Sequence, residues 1–116
     1  MRKNLIQELS IEISLLATKL FSEMTNQKEF VLSKQFLKSS TSIGANIHEA
    51  LDAQSRKDFI HKLSISLKEA RETEYWLLII MQSELVKCDT SILSQKVTSA
   101  IKVLTSIIKT SKKNSI

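Results

Sequence analysis

The fold is decided by residues 36–81, which read FLKSSTSIGANIHEALDAQSRKDFIHKLSISLKEARETEYWLLIIM. This stretch contains one glycine, Gly44, and no proline. It therefore lacks the residues that tight turns between β-strands require. Its apolar side chains recur at the three- and four-residue spacing of a helix, at Phe36, Ile43, Ile47, Leu51, Phe59, Leu63 and Leu67. The stretch predicts two long consecutive helices.

The rest of the chain extends this pattern to four helices. The start of a helix is often marked by a polar residue followed three positions later by Gln, Glu or Asp. This pattern occurs at Asn4–Gln7, Asn26–Glu29 and Ser55–Asp58. Asp89 or Thr90 can cap a fourth helix. These signals predict helices at about 4–25, 28–54, 56–87 and 90–112. Because the connections are short, we expect one all-α domain over residues 1–116, an antiparallel up-and-down four-helix bundle.

Composition excludes several classes of protein. With 42% hydrophobic residues, the chain is not expected to be disordered. The single cysteine, Cys88, excludes an internal disulfide and a cysteine-based zinc cluster, and it suits a reducing compartment. The longest apolar run, residues 75–81, is far shorter than the ~20 residues of a membrane span. We expect a cytoplasmic protein without a membrane partner.

Polar residues occupy helix positions where a plain bundle would carry apolar ones. They are Ser42, Asn46 and Glu49 in the second helix, and Glu69 and Glu72 in the third. Polar groups are costly to bury unless they are paired. The sequence therefore predicts a buried polar network of these five residues. Two alternatives stay open: a subunit contact in which Arg71 or Lys68 pairs with a neighbour's carboxylate, and a solvated helix face.

The sequence contains little that could perform catalysis. His48 has one possible metal-binding partner at helical spacing, Asp52, and His61 has none, so surface histidines are the better interpretation of both. No Glu-x-x-His motif is present to hold di-iron. No phosphate-binding glycine loop or nucleophile motif occurs. We expect no catalytic residue, no metal and no cofactor, and hence no enzyme. Acid–base chemistry by Glu49, Glu69 or Glu72 is the third-ranked alternative.

The segment from Tyr75 to Met81 is apolar in every helical direction. A small bundle buries only one side of each helix, so another side of this segment lacks a partner within the chain. Exposed apolar patches usually mark interfaces. The sequence predicts a homo-oligomer interface at Tyr75, Trp76, Ile79 and Ile80. The alternative is an unusually wide contact with the core.

Positive charge is concentrated towards the end of the chain. The net charge is +5, and no acidic residue follows Asp89. Lys102, Lys109 and Lys113 share one face of the last helix, opposite its apolar stripe. The sequence predicts weak binding of RNA or DNA at these lysines, through phosphates rather than bases. The alternative is a solvated helix face that keeps the protein in solution.

Several motifs in the chain are similar to those of one protein family. They are residues 42–50 (SIGANIHEA), Ala53-Gln54-Ser55, Asp58-Phe59, Lys68-Glu69-Ala70, Glu72-Thr73 and Tyr75-Trp76-Leu77. In this order and spacing they resemble the 23S rRNA-intervening-sequence proteins, also called the four-helix bundle protein family. The resemblance implies an up-and-down bundle that assembles into a homopentameric ring. A distant relative is the basic accessory protein of diversity-generating retroelements, which binds nucleic acid and works with a reverse transcriptase.

The residues and the resemblance together lead to one expected function and one alternative. We expect a non-enzymatic, homo-oligomeric bundle with a binding or scaffolding role linked to RNA or to a nucleic-acid enzyme. The alternative is a structural protein–protein interaction module with no nucleic-acid role. The charge of this chain is weaker than that of the strongly basic relative, because acidic residues are spread through its second and third helices.

Overall fold

The computed structural model describes residues 2–114, and the side chains of residues 5–114. Four helices follow one another: α1 (Arg2–Asn26), α2 (Leu32–Leu51), α3 (Arg56–Ser83) and α4 (Ser91–Lys113). Each helix packs against the next, and α4 returns to pack against α1. The described residues contain no strand. The predicted all-α, antiparallel four-helix bundle is confirmed.

The bundle is a rod of 50 × 20 × 20 Å with two distinct ends. One end carries the loop of residues 52–55, together with the start of α1 and the end of α4. We call it the α2–α3 end. The opposite end carries the two longer loops, residues 27–31 and 84–90. Within the described residues, no helix is both long and apolar enough to span a membrane.

The core is formed by one apolar stripe from each helix. Ile13, Ile43, Ala70 and Ala100 are all fully buried. Helices α1 and α2 approach closely where Gly44 faces α1, because a Cβ at that position would lie 3.3 Å from the Ser10 Oγ. The glycine is therefore explained by helix contact and not by a turn.

Helix α2 begins at Leu32, four residues later than predicted. Lys28 has a left-handed backbone with φ of 66°, which interrupts the helix between Asn26 and the start of α2. The Glu29 carboxylate then accepts hydrogen bonds from the backbone N–H groups of Val31, Leu32 and Ser33 at 3.1, 3.0 and 2.7 Å. Glu29 itself supplies the cap that the sequence assigned to Asn26, which is instead the last residue of α1.

The starts of α3 and α4 follow the sequence more closely, whereas the end of α3 does not. Ser55 accepts a hydrogen bond from the Asp58 N–H at 3.0 Å, so the predicted cap of α3 is confirmed. At the start of α4, Asp89 rather than Thr90 accepts the hydrogen bond, from the Ser91 N–H at 3.0 Å. Helix α3 ends at Ser83, four residues before the predicted end, because the next residue adopts a left-handed conformation with φ of 56°.

Candidate functional site

The five residues of the predicted polar network lie along the α2–α3 seam, the outer edge of the contact between these two helices. Ser42 and Asn46 are half-buried and bond only to their own helix: Ser42 Oγ donates to the Lys38 carbonyl at 2.7 Å, and Asn46 Nδ2 donates to the Ser42 carbonyl at 2.8 Å. The Glu49 side chain is 56% exposed and accepts a hydrogen bond from Lys62 of α3 at 2.8 Å. The Glu49–Lys62 ion pair therefore links α2 to α3 at the surface of the bundle, where it contacts water.

The two glutamates of α3 lie on the same seam. Glu69 is half-buried, and this partial burial, followed by the nearby charge of Glu72, raises the pKa of its carboxyl. Glu72 is exposed and accepts a hydrogen bond from Trp76 Nε1 at 3.1 Å. Within one chain, the prediction of burial is wrong for Glu49 and Glu72. Both occupy helix positions just beyond the core stripe, where a carboxylate reaches water.

The polar contacts that are buried between α2 and α3 come from smaller side chains. Thr73 Oγ1 donates to Ser39 Oγ at 2.9 Å, and Ser66 Oγ donates to the Ile43 carbonyl at 2.8 Å. None of Ser39, Ser66 and Thr73 was among the residues predicted for the polar network. The signal was present, because Ser66 and Thr73 are seven residues apart and therefore share the core face of α3.

The predicted interface residues of α3 do not share one environment. Ile80 is 1% exposed and belongs to the core, so its assignment to an interface is wrong. Trp76 and Ile79 are half-buried, and Trp76 packs against the core. Tyr75 is 54% exposed, as expected for an interface residue. A seven-residue apolar run covers two full turns, so it must supply both core and surface positions.

An exposed apolar groove lies on the other side of α3, against α4. Its volume is about 460 Å³. We call it the α3–α4 groove; its exposed apolar residues are Tyr75, Leu78 and Met81, and it is also lined by Arg71, Glu74, Leu77, Ser94, Val97 and Thr98. Sequence analysis missed Leu78 and Met81. Their three-residue spacing, which continues from Tyr75, places them on one face of the helix.

The three predicted nucleic-acid lysines are all exposed on α4. Lys109 and Lys113 lie at the α2–α3 end, whereas Lys102 lies about two turns before Lys109 along the helix. The fold adds Arg56 and Lys57 from the start of α3, which line a cleft of about 560 Å³ together with Ile60, Lys112 and Asn114. We call Arg56, Lys57, Lys109, Lys112 and Lys113 the basic end. Sequence reasoning missed the two α3 residues because they are distant in the chain.

The histidines and carboxylates show no arrangement for metal binding. His48 Nδ1 lies 2.9 Å from the Gly44 carbonyl, and its Nε2 lies 3.2 Å from Gln7 Nε2. Across the part of the chain that the structure describes, no three His, Cys, Asp or Glu side chains come together as a metal site.

Comparison with known proteins identifies a family and a structural relative of this chain. Residues 2–106 match the 23S rRNA-intervening sequence protein family. A solved structure from Bacteroides thetaiotaomicron, described as a protein with unknown function from the S23 ribosomal protein family, is 48% identical to this chain. The similarity covers 94% of this chain and 99% of that one, with a TM-score of 0.90. No curated protein matches the chain.

Proposed function

The chain belongs to the 23S rRNA-intervening sequence protein family, and on that premise we propose that it is a non-enzymatic, homo-oligomeric scaffold that binds RNA through its basic end. The proposal places it in the cytoplasm, as a ring of about five subunits. Neither the family description nor that of the solved relative specifies a reaction or a ligand. The proposal therefore depends on the surfaces of this chain.

The observation that carries the RNA proposal is the convergence of five cationic side chains at the basic end. Arg56 and Lys57 lie in the first turn of α3, where the helix dipole disfavours cations and favours an anion. Lys112 and Lys113 lie in the last turn of α4. Acidic side chains at this end are fewer: Asp52 and Asp58, with Glu49 in the last turn of α2 already paired with Lys62. A polyanion would offset the repulsion among these cations and release its own counterions.

The chemistry of this end favours recognition of phosphates rather than bases. Phe59 lines a cleft with Arg56 at this end, but it is half-buried and packs against the core, so it offers little surface for base stacking. We expect binding that varies little with sequence and falls steeply with salt, because phosphate contacts dominate it.

A titration of labelled RNA and DNA oligonucleotides, followed by fluorescence anisotropy, tests the proposal. Lys109→Glu with Lys113→Glu should weaken RNA binding by about tenfold or more at about 50 mM salt, and binding should fade by about 200 mM. The charge-matched control is Lys34→Glu with Lys87→Glu, since both lysines are exposed and lie towards the opposite end. The control should bind like the unmodified protein. No binding at low salt, or equal losses in both variants, would overturn the proposed RNA contact.

The α3–α4 groove favours a second candidate function. An exposed apolar surface is unnecessary for phosphate binding but is expected of a protein–protein interaction module. If nucleic acid fails to bind at low salt, we infer that the chain is such a module with no nucleic-acid role. Size measurement of the purified protein tests the homo-oligomer separately, and a monomer mass at micromolar concentration would exclude it.

A further inference from the structure

The chain exposes a second apolar surface, on the outer side of α1. Ile11 is 44% exposed and Leu15 is 65% exposed. They are four residues apart, so they form a single ridge on one face of the helix. We call this pair the α1 ridge. Within the chain it is uncovered, as is the α3–α4 groove, where Tyr75 and Met81 are 54% and 57% exposed.

We propose that the α1 ridge of one copy inserts into the α3–α4 groove of the next copy. The inference rests on the homo-oligomer of the proposed function and adds the surfaces that form it. A helix ridge carrying two branched apolar side chains has the shape that a groove between two helices accepts. One contact of this kind covers the α1 ridge of one copy and the α3–α4 groove of the next.

The positions of the two surfaces favour a head-to-tail assembly. The ridge lies on the outer side of α1, and the groove lies between α3 and α4. Because α1 packs between α2 and α4, the two surfaces are separated by between a quarter and a half turn around the bundle. Two different surfaces placed at such an angle generate a ring when the rotation closes, whereas one self-complementary surface generates only a dimer.

The charges that flank the two surfaces select a parallel orientation. The ridge is flanked by Glu8 towards the start of α1 and by Lys19 towards its end, a separation of roughly 16 Å along the helix. In the same direction the groove is lined by Arg71, with Glu74 about one turn further on, and α3 is followed by Glu84, roughly 20 Å from Arg71. Parallel docking brings Glu8 towards Arg71 and Lys19 towards Glu84. Antiparallel docking would bring Glu8 towards Glu84 and Lys19 towards Arg71, so like charges would meet at both ends, with Glu74 offsetting part of the repulsion at the Lys19 end.

Two substitutions separate the partners of this contact. Ile11→Lys disables the ridge and leaves the groove intact, whereas Leu78→Lys disables the groove and leaves the ridge intact. Both side chains are 44% exposed, so a lysine can reach water without disturbing the core. Val31→Lys is the matched control, because Val31 is 71% exposed in the loop before α2 and belongs to neither surface. Circular dichroism should show unchanged helix content for all three variants.

Light scattering should give monomers for Ile11→Lys and for Leu78→Lys, and the unmodified mass for Val31→Lys. An equimolar mixture of the two monomeric variants should give a species of two subunits and nothing larger, because the mixture contains one intact ridge that meets one intact groove. A dimer of either variant alone, or monomers in the mixture, would overturn the head-to-tail contact. If both variants keep the unmodified mass, the contact is wrong while the homo-oligomer stands. If the unmodified protein is a monomer, both the proposed contact and the homo-oligomer are wrong.

A charge exchange tests the orientation. Glu8→Lys and Arg71→Glu should each raise the dissociation constant of the assembly by roughly fivefold, the upper range for an exposed ion pair. The double variant should restore the unmodified value, because the pair is then rebuilt with its signs exchanged. If the double variant is weaker than either single variant, the parallel orientation is wrong.

Discussion

Replacing Glu29 with alanine should destabilise the bundle more than any other substitution of an exposed or half-buried carboxylate. This side chain accepts hydrogen bonds from three consecutive backbone N–H groups at the start of α2, which no residue within the helix can satisfy. Loss of a helix N-cap costs about 0.5–2 kcal/mol, typically about 1. Because three donors lose a charged acceptor here, we expect the upper half of that range, about 1–2 kcal/mol.

The effect of Glu29 should depend on pH in a direction that the structure determines. Partial burial acts to raise the pKa of Glu29, but the hydrogen bonds from the backbone N–H groups of Leu32, Ser33 and Val31 outweigh it, and the pKa lies below its ordinary value. A carboxyl with a lowered folded-state pKa stabilises the protein above its unfolded-state pKa. That stabilisation is lost as the pH falls through the folded-state pKa.

Urea denaturation at one fixed protein concentration measures both effects, since an oligomer's midpoint also depends on concentration. The difference between the unmodified protein and Glu29→Ala should be about 1–2 kcal/mol near pH 7 and should shrink at about pH 3. Glu23→Ala is the control, because Glu23 is exposed and its loss should change stability by less than about 0.5 kcal/mol. Equal midpoints for Glu29→Ala and the control near pH 7 would refute the capping role.

Three further outcomes are expected. Gly44→Leu should destabilise the bundle by roughly 3 kcal/mol through overpacking, because even a Cβ at this position would lie 3.3 Å from Ser10 Oγ. Gly44→Ala should be nearly neutral in the same denaturation assay, since the higher helix propensity of alanine offsets the tight contact. Ser66→Ala should cost about 0.5–1.5 kcal/mol, because it removes the 2.8 Å bond to the Ile43 carbonyl, and an unchanged midpoint would count against that bond. Burial, followed by two nearby carboxylates, raises the pKa of the Cys88 thiol, so a disulfide reagent should label it more slowly near neutral pH than an unstructured cysteine. Labelling as fast as that of a free thiol would contradict this.

The sequence predicted the helices well because their signals are local. The apolar stripe of α4 runs from Leu93 to Ile108 at helical spacing, and both residues are buried in the structure. The two errors of four residues arose at positions where a non-glycine residue adopts a left-handed backbone, Lys28 and Glu84. Neither residue type signals that conformation, since glycine is the usual choice there.

The candidate surfaces were harder to predict because they depend on which helices become neighbours. Lys109 and Lys113 could be placed on an outward face from periodicity alone. The meeting of Lys112 with Arg56 and Lys57 depends on the closure of the bundle, which brings the end of α4 to the start of α3. Likewise, periodicity places Glu49 near the core, but it cannot distinguish the edge of a stripe from its centre.

The parallel orientation of the proposed contact has a consequence for nucleic-acid binding. Helices α1 and α3 both run away from the basic end, because each begins at that end of the rod. If α1 of one copy lies parallel to α3 of the next, every basic end in the ring points to the same side, and a tilt of each bundle compensates for the axial offset between neighbours.

One copy offers a few phosphate contacts, whereas a ring presents them all to one strand at high effective concentration. The monomeric Leu78→Lys variant, which keeps all five cations of the basic end, should therefore bind RNA more weakly than the ring and with a shallower dependence on salt. Equal affinities and equal salt slopes for the two forms would show that the basic ends act singly and that the ring does not gather them on one side.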